Sequence, residues 1–209
     1  MRDLYSCQPK EVAAEFLRDF EKLLHRIDLD SLERVYWALK SARKRGAMIY
    51  IAGNGGSAST ASHWVNDLGK GTKAAGGLPM RALSLSDNIS WLTALANDES
   101  YERVFSGQLE NFAQAGDILI VISASGNSPN LLRAVEMARR HEVLVIGLLG
   151  FDGGALKTMV DECLLLPTSK GAYGLVESGH ALLCHILTAC LAADRAEREV
   201  SSPRVRALA

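Results

Sequence analysis

The stretch MIYIAGNGGSASTASHW, residues 48–64, decides the fold. Its first four residues form an apolar run without in/out alternation, as a strand buried on both faces requires. The run breaks into glycines and hydroxyl residues, then resumes as a helical segment that carries His63. A strand that passes through a glycine-rich turn into a helix is the opening unit of a parallel α/β sheet. Glycine lets the backbone approach a ligand closely, and the free N–H groups of a helix start suit an anion.

Outward from this stretch the same texture recurs. Apolar runs at 47–51, 80–85, 117–122, 143–149 and 163–166 predict five strands. Helices are expected over 57–68, 88–113 with a break near Asn97 and Asp98, 128–141, 154–160 and 174–196. Upstream, 9–26 and 29–44 predict two amphipathic helices, with Val12, Phe16, Phe20, Leu23 and Leu24 at helical spacing and a cap within 28–31. The expectation is one domain over 1–209: N-terminal helices over 1–45, an α/β core over 46–196 and a loose tail over 197–209.

Composition bounds the function. The chain has 209 residues, 48% hydrophobic, which suits one sizeable core, and a net charge of −1, which leaves no basic footprint for nucleic acid. No run of about 20 apolar residues stands out as a membrane span, and the N-terminus carries no signal-peptide apolar region. The four cysteines (Cys7, Cys163, Cys184, Cys190) lack CxxC spacing and read as free thiols of a cytoplasmic protein.

A second strand end has related chemistry. In ISASGNSPN, residues 122–130, a strand runs into serines, a glycine and then a helix start, a compact anion cradle. In a parallel sheet, ligands bind beyond the carboxyl ends of the strands at a topological switch point. Gly53, Gly55 and Ala58 also fit the GxGxxA dinucleotide pattern, but that pattern expects an acid about 20 residues on. Asp87, the nearest, lies farther away, and the second serine loop would have no purpose.

Through AGNGGSA (52–58) and ISASGNS (122–128) the chain resembles the sugar isomerase (SIS) domain family, and within it the sedoheptulose-7-phosphate, or phosphoheptose, isomerases. The resemblance implies a three-layer α/β/α sandwich around a five-stranded parallel sheet, assembled as a homotetramer with sites near subunit interfaces. It implies sugar-phosphate contacts from Asn54, Gly55, Ser57, Ser123, Ser125 and Ser128, with Asp98 close to the sugar. It further implies a divalent metal, zinc, held by His63, Asp67, Glu177 and His185, with Glu177 also facing substrate and Asp67 and His185 as the catalytic base and acid. The sequence departs from the family in places. Ala124 replaces a threonine, Asp67 a glutamate and Glu177 a glutamine, and GAYGLVES lacks the family's Arg-Ile-Gln-Glu pattern.

Spacing supports part of this site. His63 and Asp67, at i and i+4, share a helix face. Glu177 and His185 lie eight residues apart, about 12 Å along a helix axis, so both reach one ion only if it sits between them or the helix starts irregularly near Gly174. His180 is either a competing ligand or a packed or solvated histidine. The expected reaction is aldose–ketose isomerisation through an enediolate, on sedoheptulose 7-phosphate or a related ketose phosphate. The alternative is a non-catalytic SIS module resembling the initiator-associating protein of bacterial DNA replication.

Overall fold

The computed structural model describes residues 8–74 and 78–193. Cys7, residues 194–196 of the expected last helix and the expected tail over 197–209 lie outside the described residues. Helices α1 (Pro9–Leu24) and α2 (Leu29–Arg45) lead into strand β1 (Met48–Gly53). Pro9 opens α1, where its missing N–H costs nothing. Asp28 caps α2 by accepting hydrogen bonds from the N–H groups of Asp30 and Ser31, and Gly46 ends it in the left-handed region.

After β1 come α3 (Gly56–Asn66), a π-helical turn (Asp67–Gly71), the short α4 (Thr72–Ala74) and β2 (Arg81–Ser84). Helix α5 (Ile89–Asp98), a 3-10 turn (Tyr101–Arg103) and α6 (Ser106–Phe112) then lead to β3 (Ile118–Ser123). The order closes with α7 (Pro129–Arg140), β4 (Leu144–Gly150), a 3-10 turn (Ala155–Thr158), β5 (Glu162–Leu166) and α8 (Tyr173–Ala193). The helix expected over 154–160 is only this 3-10 turn. Gly153 and Gly154 both take positive φ before it, which leaves too few helical residues to propagate.

The five strands are all parallel, in the order β2-β1-β3-β4-β5. From β1 the chain departs to one side for β2 and to the other for β3, so the switch point lies between β1 and β3. The turns after these two strands are the two glycine- and serine-rich stretches.

Alternate strand residues feed two cores. Ile49, Ile51, Ile118, Ile120 and Ile122 face α2, α3 and α8, where Leu39, Trp64 and Leu187 are fully buried. Tyr50, Ala52, Leu119 and Val121 face the other layer, with Leu95, Leu109, Leu131 and Val135. Helix α8 is long and apolar enough, by length and composition, to cross a membrane (mean hydropathy 1.5), which the sequence reading did not register. Here Val176, Leu183, Cys184, Leu187 and Leu191 bury one side of it in the domain core. The chain's own core buries 39% of that span and so covers part of its apolar content.

Candidate functional site

Both turns are built around close backbone approaches. A Cβ on Gly53 would fall 2.6 Å from the Ser57 backbone, and one on Gly126 would fall 1.9 Å from the Gly153 carbonyl oxygen. Gly126 also sits at φ 64°, so only glycine fits there. The β3 turn braces itself further. The Ser123 hydroxyl accepts from the Gly126 N–H, the Ser125 hydroxyl from the Asn127 N–H, and the Asn127 side-chain Oδ1 from the Ala155 N–H. The two turns are tied together by Asn54 and Asn130, whose amides donate to each other at 3.0 and 2.8 Å. Tyr101 adds its hydroxyl to the Asn54 oxygen at 3.1 Å.

Between the turns lies a cavity of about 190 Å³, lined by Asn54, Ser57, Ile122, Ser123, Ala124, Ser125, Ser128, Tyr173 and Glu177. Ser128 stands at the N-cap of α7, yet its hydroxyl caps nothing. It therefore remains available to a ligand together with the Asn130 N–H, since Pro129 has none and the Leu131 and Leu132 N–H groups donate to the Ser128 carbonyl. Ser128→Ala is expected to weaken binding of inorganic phosphate by about tenfold with little change in melting temperature, because one hydrogen bond to a charged group is worth roughly 1.5–3 kcal/mol. Ser123→Ala is expected to lower the melting temperature as well, since it breaks a buried bond within the turn. Titration calorimetry and thermal unfolding of both variants check this pair.

The second half of the site bridges α3 and α8. His63 and His185 bring their Nε2 atoms to 2.9 Å, and the Asp67 Oδ2 lies 3.3 Å from the first and 3.7 Å from the second. The rings meet edge to face at 5.1 Å. Trp64, next to His63 and fully buried, donates its indole N–H to Thr188 at 3.2 Å, and the Thr188 hydroxyl donates to the Cys184 carbonyl. This link fixes α3 against α8 at the level of both histidines. Asp67 begins the π-helical turn, a distortion frequent at functional sites. Burial, reinforced by the negative charge of Asp67, holds the Cys184 thiol well above its ordinary pKa, so it stays neutral.

His63, Asp67 and His185 thus place three ligand atoms within 4.8 Å of one another. A tetrahedral ion with bonds of about 2.0–2.1 Å has ligand-to-ligand edges of about 3.3 Å. The observed 2.9, 3.3 and 3.7 Å bracket that edge. Two imidazoles and a carboxylate also suit zinc chemically and leave a fourth position open.

Other expected residues are placed elsewhere. Glu177 is not part of the three-residue group. Its carboxylate lies against Gly56 at the start of α3, where an added Cβ would fall 2.6 Å from Oε2. Eight residues of regular helix separate it from His185, about 12 Å along the axis. Asn54 lines the cavity, but Asn130 and Tyr101 occupy most of its amide. Gly55 takes φ 54° as the N-cap of α3. Asp98 ends α5, accepts from the Asn97 side chain and does not line the cavity. His180 is fully buried with no hydrogen-bond partner on either ring nitrogen. Burial lowers its pKa to about 4, with the Leu149 backbone opposing the shift in part.

The SIS domain model matches residues 15–150. A phosphoheptose isomerase of Trichlorobacter lovleyi is 43% identical over 145 residues, covering 69% of this chain and 72% of that protein. The chain belongs to the phosphoheptose isomerase family of SIS domains. Solved structures agree. A phosphoheptose isomerase from Neisseria gonorrhoeae superposes with a TM-score of 0.79 at 30% identity, covering 87% of this chain and 97% of that one. One from Francisella tularensis reaches 0.80 at 26% identity, covering 88% and 98%. The five-stranded parallel sheet between helical layers is therefore the SIS fold, as the two loops implied.

Tyr101, Asn130 and Tyr173 were not found from the sequence. Each is a common residue type outside any motif. Tyr101 and Asn130 meet Asn54 across 47 and 76 residues of chain. An aromatic residue at the start of the last helix was the one available signal for Tyr173.

Proposed function

We propose that this sugar-phosphate isomerase interconverts sedoheptulose 7-phosphate, or a related ketose phosphate, with its aldose phosphate. The observation that carries this reading is the convergence of His63, Asp67 and His185 within 4.8 Å on helices that also wall the serine cavity. Ser57 in the cavity and His63 are six residues apart on α3, roughly 9 Å along the axis, a span that an extended polyhydroxy phosphate covers. The serine hydroxyls and helix N-termini hold the phosphate and thereby fix the reacting carbons.

In this reading Asp67 takes the proton from the carbon beside the carbonyl and returns it to the neighbouring carbon, with His185 moving the proton between oxygens. A divalent ion held by His63, Asp67 and His185 would polarise the substrate's carbonyl and hydroxyl oxygens, and zinc suits that donor set. Glu177 is read as a substrate-facing residue. The single-domain boundaries stand as part of this proposal, as does a homotetramer. Support for the latter is the set of exposed apolar side chains on α1 and α2, among them Val12, Phe16, Leu17 and Trp37. The three described cysteines are free, which accords with a cytoplasmic location.

Solvent deuterium incorporation at the carbon beside the carbonyl of sedoheptulose 7-phosphate, followed by mass spectrometry, tests the reaction. Dialysis against a chelator is expected to abolish exchange, and zinc to restore it. Full exchange in metal-free protein would overturn the metal assignment. No exchange and no bound metal in the purified protein would favour the non-catalytic module.

A further inference from the structure

The side chains of His63 and His185 are 53% and 56% exposed, so packing does not hold their rings in place. Their Nε2 atoms face each other, and among the described residues neither Nδ1 has a hydrogen-bond partner. A histidine that holds a metal is ordinarily oriented through that other nitrogen. Here the meeting of the two rings depends on how α3 and α8 stand relative to one another.

A polar link crosses between these helices beside the two histidines. The Trp64 indole N–H donates to the Thr188 hydroxyl at 3.2 Å, and that hydroxyl donates to the Cys184 carbonyl at 2.8 Å. Trp64 follows His63 in the chain and Cys184 precedes His185, so the link closes a circuit from one histidine's backbone to the other's. The indole is fully buried, and its N–H has no water to turn to if Thr188 is lost. The Thr188 methyl serves the third ligand's element. A Cβ added to Gly71 would lie 3.6 Å from Thr188 Cγ2, and Gly71 ends the π turn that Asp67 begins. One side chain therefore bears on the elements that carry His63, Asp67 and His185.

We propose that Thr188 is a positioning residue, which sets the spacing at which the three ligand atoms meet and thereby the affinity for the ion. It belongs neither to the ligand group nor to the cavity lining. The proposal rests on the metal-assisted reading above and adds to it a residue that works through Trp64 and the Cys184 carbonyl. Its two bonds need a hydroxyl that accepts and donates at once. Valine has the same shape and makes neither bond, whereas serine makes both.

Zinc affinity, measured by competition with a chromophoric chelator, is compared with inorganic phosphate binding by calorimetry. Thr188→Val is expected to weaken zinc about tenfold, as loss of a group that orients metal ligands does, and to leave the phosphate constant within twofold. Thr188→Ser is expected to stay within twofold of wild type for both probes. In a Trp64→Phe background, which has already lost the indole donor, adding Thr188→Val is expected to change zinc affinity by less than twofold. Retained phosphate binding shows that each variant is folded; if Trp64→Phe does not fold, the valine and serine variants decide alone. Equal weakening of zinc and phosphate by Thr188→Val means general loosening and overturns the positioning role. A full tenfold loss in the Trp64→Phe background overturns it too, because Thr188 would then not act through the indole. Zinc bound by wild type and equally by Thr188→Val overturns this role alone. Wild-type protein that binds no zinc overturns the metal reading, and the positioning role with it.

Discussion

Replacing Asp67 with asparagine is expected to lower kcat by about a thousandfold and to leave inorganic phosphate binding unchanged. The change preserves size but removes the carboxylate shared by His63 and His185. A positioned base contributes roughly 10²–10⁴-fold, and loss of its charge also weakens any cation bound by the two imidazoles. Steady-state kinetics with solvent deuterium exchange measures the loss; activity within tenfold of wild type removes Asp67 from the proposed chemistry. Asp67→Glu is the sharper comparison, because glutamate stands there in the family that the sequence resembles. The Asp67 Oδ2 already lies 3.3 and 3.7 Å from the two ring nitrogens. One more carbon, about 1.5 Å, would overshoot this arrangement, and misplacement near 1 Å costs on the order of a hundredfold. A slower Asp67→Glu enzyme means that the backbone here is adapted to aspartate, whereas a faster one means that the wild-type site is impaired.

The second large effect concerns His180. Its pKa is about 4 in the folded protein against an ordinary value of 6.5. Between those values the unfolded chain takes up a proton that the folded chain refuses, so stability is lost as pH falls from about 6.5 to 4 and the loss stops below. The full span corresponds to on the order of 3 kcal/mol. His180→Leu should not suffer this loss. Because neither ring nitrogen is hydrogen-bonded, the variant is also expected to be at least as stable as wild type at pH 7.5, since an unsatisfied buried polar atom is destabilising. Urea unfolding at pH 7.5, 6.0, 5.0 and 4.5 should show the variant's advantage growing as the solution is acidified. An advantage independent of pH would mean that His180 does not titrate in this way.

The strands were readable because four of them are apolar runs closed by glycine, serine or proline, while β2 is a shorter run interrupted by Arg81, and all five lie within two residues of their expected ends. The two glycine- and serine-rich turns were equally plain, since each follows an apolar run and leads into a helix. Less visible was anything set by packing between distant segments. The π turn at Asp67–Gly71 leaves no mark in residue type, yet it belongs to the helix that carries the site. Glu177 and His185 share α8, and sequence spacing alone could not tell which of them meets α3 at His63 and which meets it at Gly56. His180 shows the same limit. Helical spacing admitted either a ligand or a core residue, and only burial distinguishes them.

The paired amides of Asn54 and Asn130, with the Tyr101 hydroxyl beside them, have a bearing on kinetics. They fasten together the two turns proposed to hold the phosphate, so in that reading the receptor is assembled before its guest arrives. Capture of inorganic phosphate should then be limited by encounter rather than by rearrangement, with little entropy surrendered by the chain. Cutting that fastening at Asn130 or Tyr101 would slow capture without removing a side chain that lines the cavity.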